Sequence, residues 1–200
     1  MTGAPRVWVT RAEPGATRTA QRVRALGFMP VVHPLLAVRF IDAPLDLDGV
    51  AALAFTSRNG IDGFARLHAA RDLPVYAVGD ATATAARAAG FNKVQSARGD
   101  LDALAAMIRR THHAQGGVVL IPGPLQPAGD LAARVGSAIA VRSVVVYRAE
   151  ATTDLSVPAF DIALVHSPRA ASRLADYLAG RDLMTKSAVA ISRAAASSLE

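Results

Sequence analysis

The chain has 200 residues, 52% hydrophobic and 19% charged, with no cysteine, five histidines and a net charge of +6 from 22 basic and 16 acidic side chains. Such a composition builds globular cores and excludes a disordered or fibrous chain, disulfides and thiolate metal sites, while no apolar run approaches the roughly 18 residues that cross a bilayer. The arginine excess implies affinity for anions, yet the arginines are spread singly with few aromatics among them, a poor match to a nucleic-acid surface, so no nucleic acid, membrane or metal partner is expected.

Residues 6–10 (RVWVT) predict a short strand, and after Glu13-Pro14-Gly15 a helix follows with Ala16, Ala20, Val23 and Leu26 inward and Gly27 closing it. Residues 29–33 predict the next strand, which Pro34 stops, and residues 37–41 alternate like a ribbon exposed on one side. Residues 50–55 and 75–78 lack polar alternation, as strands buried on both faces of a parallel sheet do. The first opens a helix with Ile61, Phe64 and Ala65 inward; the second opens an alanine-rich helix closed by Gly90. Residues 92–96 predict a short strand, and Asp100 caps a helix with Leu101, Leu104, Ala105 and Ile108 on one face. A strand over 118–121 leads through PGPLQPAGD into a helix over 130–135, which Gly136 ends. Residues 139–147 form a long β-branched run ending at Tyr147-Arg148, a natural pairing partner for 37–41.

From residue 162 the pattern of 53–90 returns: an apolar strand ends in Ser167 as the earlier one ends in Ser57, a helix carries Ala171, Leu174 and Ala175 at the same spacing, and residues 188–191 open another alanine-rich helix. The expectation is an α/β fold of two Rossmann-like or flavodoxin-like parallel-sheet lobes. Lobe one is discontinuous, 1–36 plus 150–200, and short of a last strand and helix; lobe two, 37–149, is inserted, with 37–41 and 141–149 as a two-stranded connecting ladder.

Ligands of open α/β sheets bind at the carboxyl ends of the strands, where helix N-termini offer free N–H groups to anions. That places Thr10-Arg11, Thr56-Ser57-Arg58, Gly79 with Thr82, Pro122-Gly123, Ser167 with Arg169, and Ser192 among the candidates. For Ser57, Thr82 and Ser167 the plain alternative is a helix N-cap. Asp80 and Asp161 stand where aspartates open a helix and a strand, and need no acid/base role. Neither a dinucleotide fingerprint, a phosphate-binding P-loop nor a G-x-S-x-G elbow occurs. Tyr147, at the end of the supposed ladder strand, can serve as a hydrogen-bond donor or weak acid, or as a structural residue of the ribbon.

RVWVTRAEPGA, LAFTSRNGIDGF, VYAVGDATATAARAAGF, VVVYRAE and LVHSPRAASRLADYL, in this order and spacing across nearly the whole chain, resemble the uroporphyrinogen-III synthase family. The resemblance implies two α/β lobes joined by an antiparallel ladder, with substrate held between them. The reaction implied is cyclisation of hydroxymethylbilane to uroporphyrinogen III with inversion of ring D, without metal or organic cofactor, by a cytoplasmic monomer. By position, Tyr147 matches the family's proton donor to the leaving hydroxyl; Thr56, Ser57, Thr82 and Ser167 match strand-end hydroxyls lining the site, and Thr10-Arg11 a Thr-Arg pair. The family's Gly-x-Thr reads Ile191-Ser192-Arg193-Ala194 here, and its Pro-Arg-Gly reads Pro122-Gly123-Pro124. The alternative is a homologue that binds an anionic tetrapyrrole or other polyanion with weakened or no turnover.

Overall fold

The computed structural model describes residues 3–13, 15–42, 44–112, 116–179, 181, 187–196 and 199. Pro14 of the first turn, Ala43, His113 and Glu200 lie outside them, as does the side chain of Ala194. The chain begins with β1 (Arg6–Val9), α1 (Gly15–Ala25), β2 (Met29–Val32) and β3 (Leu36–Phe40). It continues through β4 (Val50–Phe55), α2 (Arg58–Leu67), β5 (Val75–Ala77), α3 (Asp80–Ala88), β6 (Val94–Ser96) and α4 (Leu101–His112). Then come β7 (Val118–Pro124), α5 (Leu131–Val135), β8 (Val141–Ala151), β9 (Ile162–Val165), α6 (Pro168–Leu178), β10 (Ser187–Ala190) and α7 (Arg193–Ala196). Two compact units result: Met1–Val38 with Glu150–Glu200, called unit 1, and Arg39–Ala149, called unit 2.

Unit 2 is built on a six-stranded sheet in the order β3-β8-β7-β4-β5-β6, parallel from β8 to β6. Alternation along its central strand sends neighbouring side chains to opposite layers. Ala52 and Ala54 pack with Leu104, Ile108, Leu131 and Val135 of α4 and α5. Leu53 and Phe55 pack with Ile61, Phe64, Ala86 and Phe91, from α2 to the end of α3. Both faces are therefore covered, which is why β4 carries no polar side chain.

Unit 1 repeats this plan on a four-stranded parallel sheet, β10-β9-β1-β2. Val7 and Val9 face α1, whereas Trp8 faces α6, fully buried with its ring centroid 4.9 Å from Phe160 and 5.1 Å from Tyr177. The indole N–H donates to the His33 carbonyl at 2.7 Å, so the largest buried side chain has its one polar group satisfied.

Three expectations change. Leu26 is 74% exposed instead of inward, because α1 ends at Ala25 and the Gly27 turn (φ +83°) swings the chain round; Phe28 joins the α1 layer instead. Strand β7 runs on through Pro122-Gly123-Pro124 instead of stopping at 121. Prolines are tolerated there because β7 is registered with β4 only as far as Leu120, and beyond it with β8 alone. Tyr147 consequently lies in the interior of β8, not at a strand end. Residues 141–147 belong to the six-stranded sheet as well as to the pairing with β3, whose hydrogen bonds Ile41 N to Val146 O (3.0 Å) and Thr152 N to Leu35 O (3.0 Å) run in antiparallel register.

Candidate active site

In each unit one strand has neighbours reached by crossovers in opposite directions: β4 lies between β5 and β7, and β1 between β2 and β9. The loops leaving such a pair diverge, and the crevice between them at the carboxyl ends is where α/β sheets bind ligands. Thr56-Ser57-Arg58 and Pro122-Gly123 stand at this point in unit 2, and Thr10-Arg11 with His166-Ser167 in unit 1.

Ser57 is the N-cap of α2, its oxygen accepting the Gly60 N–H at 3.3 Å. The same oxygen lies 3.1 Å from the Tyr147 hydroxyl. What brings the two elements so close is a pair of glycines one helical turn apart. A Cβ on Gly60 would stand 2.5 Å from the Pro122 carbonyl oxygen, and one on Gly63 2.6 Å from Cγ2 of Val146. Glycine costs a helix interior about 1 kcal/mol against alanine, and here that cost admits α2 onto β7 and β8. Tyr147 is 8% exposed; burial pushes its phenol above the ordinary tyrosine range, and the Ser57 hydroxyl pulls the other way. At neutral pH the phenol is protonated, and either hydroxyl can donate in this contact.

The neighbouring strand end contributes Gly79 and Thr82. Gly79 is the N-cap of α3, in extended backbone and without a side-chain cap bond. Thr82 lies inside the first turn and is buried, so the N-cap reading fails for it: the N-cap is Gly79 and the helix starts at Asp80. Arg58 pairs with Asp62 at 3.2 Å on the exposed side of α2. Arg98, which sequence reasoning passed over, has φ +53° and reaches Asp80 at 3.7 Å, with both side chains mostly exposed.

In unit 1, Thr10 is fully buried and its hydroxyl donates to the Leu164 carbonyl at 2.6 Å, tying β1 to β9. Thr10 thus fixes the strand end and has no free hydroxyl hydrogen for a ligand. Ser167 caps α6 through the Ala170 N–H (3.2 Å), and Ser192 accepts from the Ala195 N–H (3.2 Å). Arg169 is exposed in the first turn of α6. Arg11 is half-buried against Gly15, where a Cβ would fall 2.3 Å from its Nε. Burial first, and Arg18 second, lower its pKa. His166, also missed, follows β9 directly; burial and then Arg11 hold its imidazole towards the neutral form, while the Leu164 carbonyl favours the charged one. The only sequence signal for it was its place immediately before the Ser167 cap. Asp161 accepts the Arg6 N–H at 2.7 Å, a structural bond at the opposite end of the strand.

Among the described residues, no group of three or more histidines, aspartates or glutamates could hold a metal ion, and no helix is long and apolar enough to cross a membrane. The geometry defines a class: an α/β protein of two doubly wound parallel units, each presenting hydroxyls and arginines at its switch point. Residues 17–200 match the family described as uroporphyrinogen-III synthase HemD, and the chain belongs to that family of cyclising lyases of porphyrin biosynthesis, which act on a small tetrapyrrole. The uroporphyrinogen-III synthetase of Helicobacter pylori 26695 has a similar fold, with a TM-score of 0.68 at 17% identity, covering 98% of this chain and 87% of that one. A mutant uroporphyrinogen III synthase of the extremely thermophilic bacterium Thermus thermophilus gives 0.57 at 17% identity, covering 98% and 88%. No curated sequence matches the chain significantly.

Proposed function

We propose that this protein closes hydroxymethylbilane to uroporphyrinogen III with inversion of ring D, and that Tyr147 protonates the departing hydroxyl. The observation carrying this reading is the Ser57–Tyr147 contact at 3.1 Å, in which a buried neutral phenol stands against a hydroxyl at the switch point of unit 2. The leaving hydroxide becomes water, a much weaker acid than a phenol, so transfer is downhill while the phenol stays protonated at neutral pH. The Ser57 oxygen already takes the Gly60 N–H, which leaves the serine hydrogen to steady the tyrosinate. The resulting azafulvene is attacked by the substituted carbon of ring D, giving a spiro intermediate that fragments and recloses. Holding the chain so that this carbon reacts first is a matter of position, which can supply several kcal/mol of the barrier.

In this reading Thr56, Arg58, Gly79 and Thr82 on unit 2, and Arg11, Ser167, Arg169 and Ser192 on unit 1, receive the substrate. Its eight carboxylates suit a chain of net charge +6, acting as a cytoplasmic monomer. The test is a coupled assay in which the deaminase generates hydroxymethylbilane in situ. Formation of the type III isomer supports the reading. Type I alone, as the spontaneous reaction gives, would replace turnover by binding of an anionic tetrapyrrole without chemistry.

A further inference from the structure

Unit 1 carries a cationic cluster for which the described residues provide no counter-ion. Val9 and Leu164 are register partners on β1 and β9, so Arg11 and His166, each two residues further on, leave adjacent strands at the switch point. The guanidinium of Arg11 is folded back over Gly15 at the start of α1. Neither Arg11 nor Arg18 pairs with a carboxylate among the described residues, and the nearest acid in the connection, Glu13, is turned away: its two oxygens accept the hydroxyl and the N–H of Thr17 at 2.8 and 3.2 Å. The His166 Nδ1 is enclosed and has no hydrogen-bond partner. A buried polar atom without a partner and a half-buried guanidinium without an anion both carry a desolvation cost that an incoming anion would relieve.

We propose that Arg11 and His166 form a carboxylate site at the switch point of unit 1, which takes one acid side chain of the tetrapyrrole and in doing so takes up a proton on His166. The inference rests on the functional reading above and names one subsite of it. No covalent bond to substrate forms: the proton comes from solvent, and an imidazolium N–H and the guanidinium then donate to the carboxylate. The neutral imidazole is imposed by burial and by Arg11; a carboxylate between the two cations cancels the second cause and adds an attraction for the charged form. The other ionisable groups on the neighbouring elements are Arg18, Arg22 and Arg24 on α1, Arg169, Arg173, Asp176 and Tyr177 on α6, and Arg193 beyond β10; of the two carboxylates nearby in sequence, Asp176 pairs with Arg173 at 3.2 Å and Glu13 bonds Thr17. The Leu164 carbonyl beside the ring is the one neighbour that favours protonation before the ligand arrives.

The test is calorimetry with uroporphyrinogen III, kept reduced, at pH 7.5 in phosphate and in Tris, whose ionisation enthalpies differ. The wild-type protein is expected to take up roughly half to one proton per ligand, and His166→Gln none, with about tenfold weaker binding; Arg11→Gln should weaken binding by a similar factor. In the wild-type protein itself, the His166 ring C–H signal, assigned by its loss in His166→Gln, should titrate at least one pH unit higher with ligand than without. Equal proton uptake in His166→Gln, affinities of both variants within twofold of wild type, or an unmoved titration would overturn the site. If those results accompany formation of the type III isomer, the site alone fails. If the wild-type protein neither binds uroporphyrinogen III nor forms the type III isomer, the site and the functional reading fall together.

Discussion

The oxygen of Ser57 stands 3.1 Å from the phenol oxygen of Tyr147 while also capping α2 through Gly60, so one hydroxyl links the start of a helix to the interior of a strand 90 residues away. Replacing it separates the two roles. Ser57→Ala should lower stability by about 1 kcal/mol through the lost cap. It should also raise the Tyr147 titration midpoint further above the usual tyrosine value, because the Ser57 bond is what pulls it down. Ultraviolet titration of the phenols reads this against Tyr76 and Tyr177. Tyrosine ionisation unchanged from wild type would show that the contact does not persist in solution.

Tyr147→Phe removes the hydroxyl and keeps the ring. General-acid assistance is worth about 100-fold or more in rate, so formation of the type III isomer should fall by at least tenfold while the fold survives. A rate within twofold of wild type would return Tyr147 to the role of a strand residue. The raised pKa also fixes the alkaline behaviour. A phenol that ionises less readily folded than unfolded contributes stability in full below the unfolded value near 10, and that contribution is lost as pH rises through the folded value.

The spacing of α2 over β7 and β8 can be tested without touching a hydroxyl. Gly63→Ala places a methyl 2.6 Å from the Val146 side chain, which can yield in part; Gly60→Ala places one 2.5 Å from the Pro122 backbone oxygen, which cannot. Overpacking of this kind costs about 1–3 kcal/mol, and Gly60→Ala should be the worse of the two. Both should lower the type III rate by lifting Ser57 from Tyr147, whereas alanine at exposed Gly3, which has nothing within 4 Å, should change neither property. Full activity in Gly60→Ala would mean that this close approach does not set the site.

Much of the architecture was legible because parallel sheets covered on both faces impose unbroken apolar strands such as 50–55, and because Ser57 and Ser167 begin similar helices. The family resemblance singled out Tyr147 for the proposed chemical role, where patterning alone left it balanced between chemistry and structure. What the sequence hid were relationships set by register across the sheet. That β7 continues through two prolines depends on β4 ending its registered pairing at Leu120, and that Tyr147 is interior depends on β8 having a partner on each side. The Gly60 and Gly63 pair reads in sequence as a weak helix, since the strand that requires it is more than 50 residues downstream. His166 was hard to see because its only local mark is its place before the Ser167 cap; its character comes from burial first and then from Arg11, which follows the neighbouring strand β1.

That neighbour makes unit 1 sensitive to acid. His166 is held neutral by burial and by Arg11, so its folded pKa is below the unfolded value of about 6.5. Above 6.5 neither state is protonated there and stability is independent of pH through this group. As pH falls below 6.5 the unfolded chain gains a proton that the folded chain resists, and stability declines until the pH has passed through the folded value. Thermal unfolding at pH 7.5 and 5.5 should therefore show a fall in Tm for wild type that is smaller in His166→Gln, because glutamine has no proton to gain. Arg11→Gln should reduce the fall as well, having removed the second cause of the shift. If wild type and His166→Gln lose the same amount between the two pH values, the imidazole is not held neutral in the folded protein, and the acid sensitivity of unit 1 has another origin.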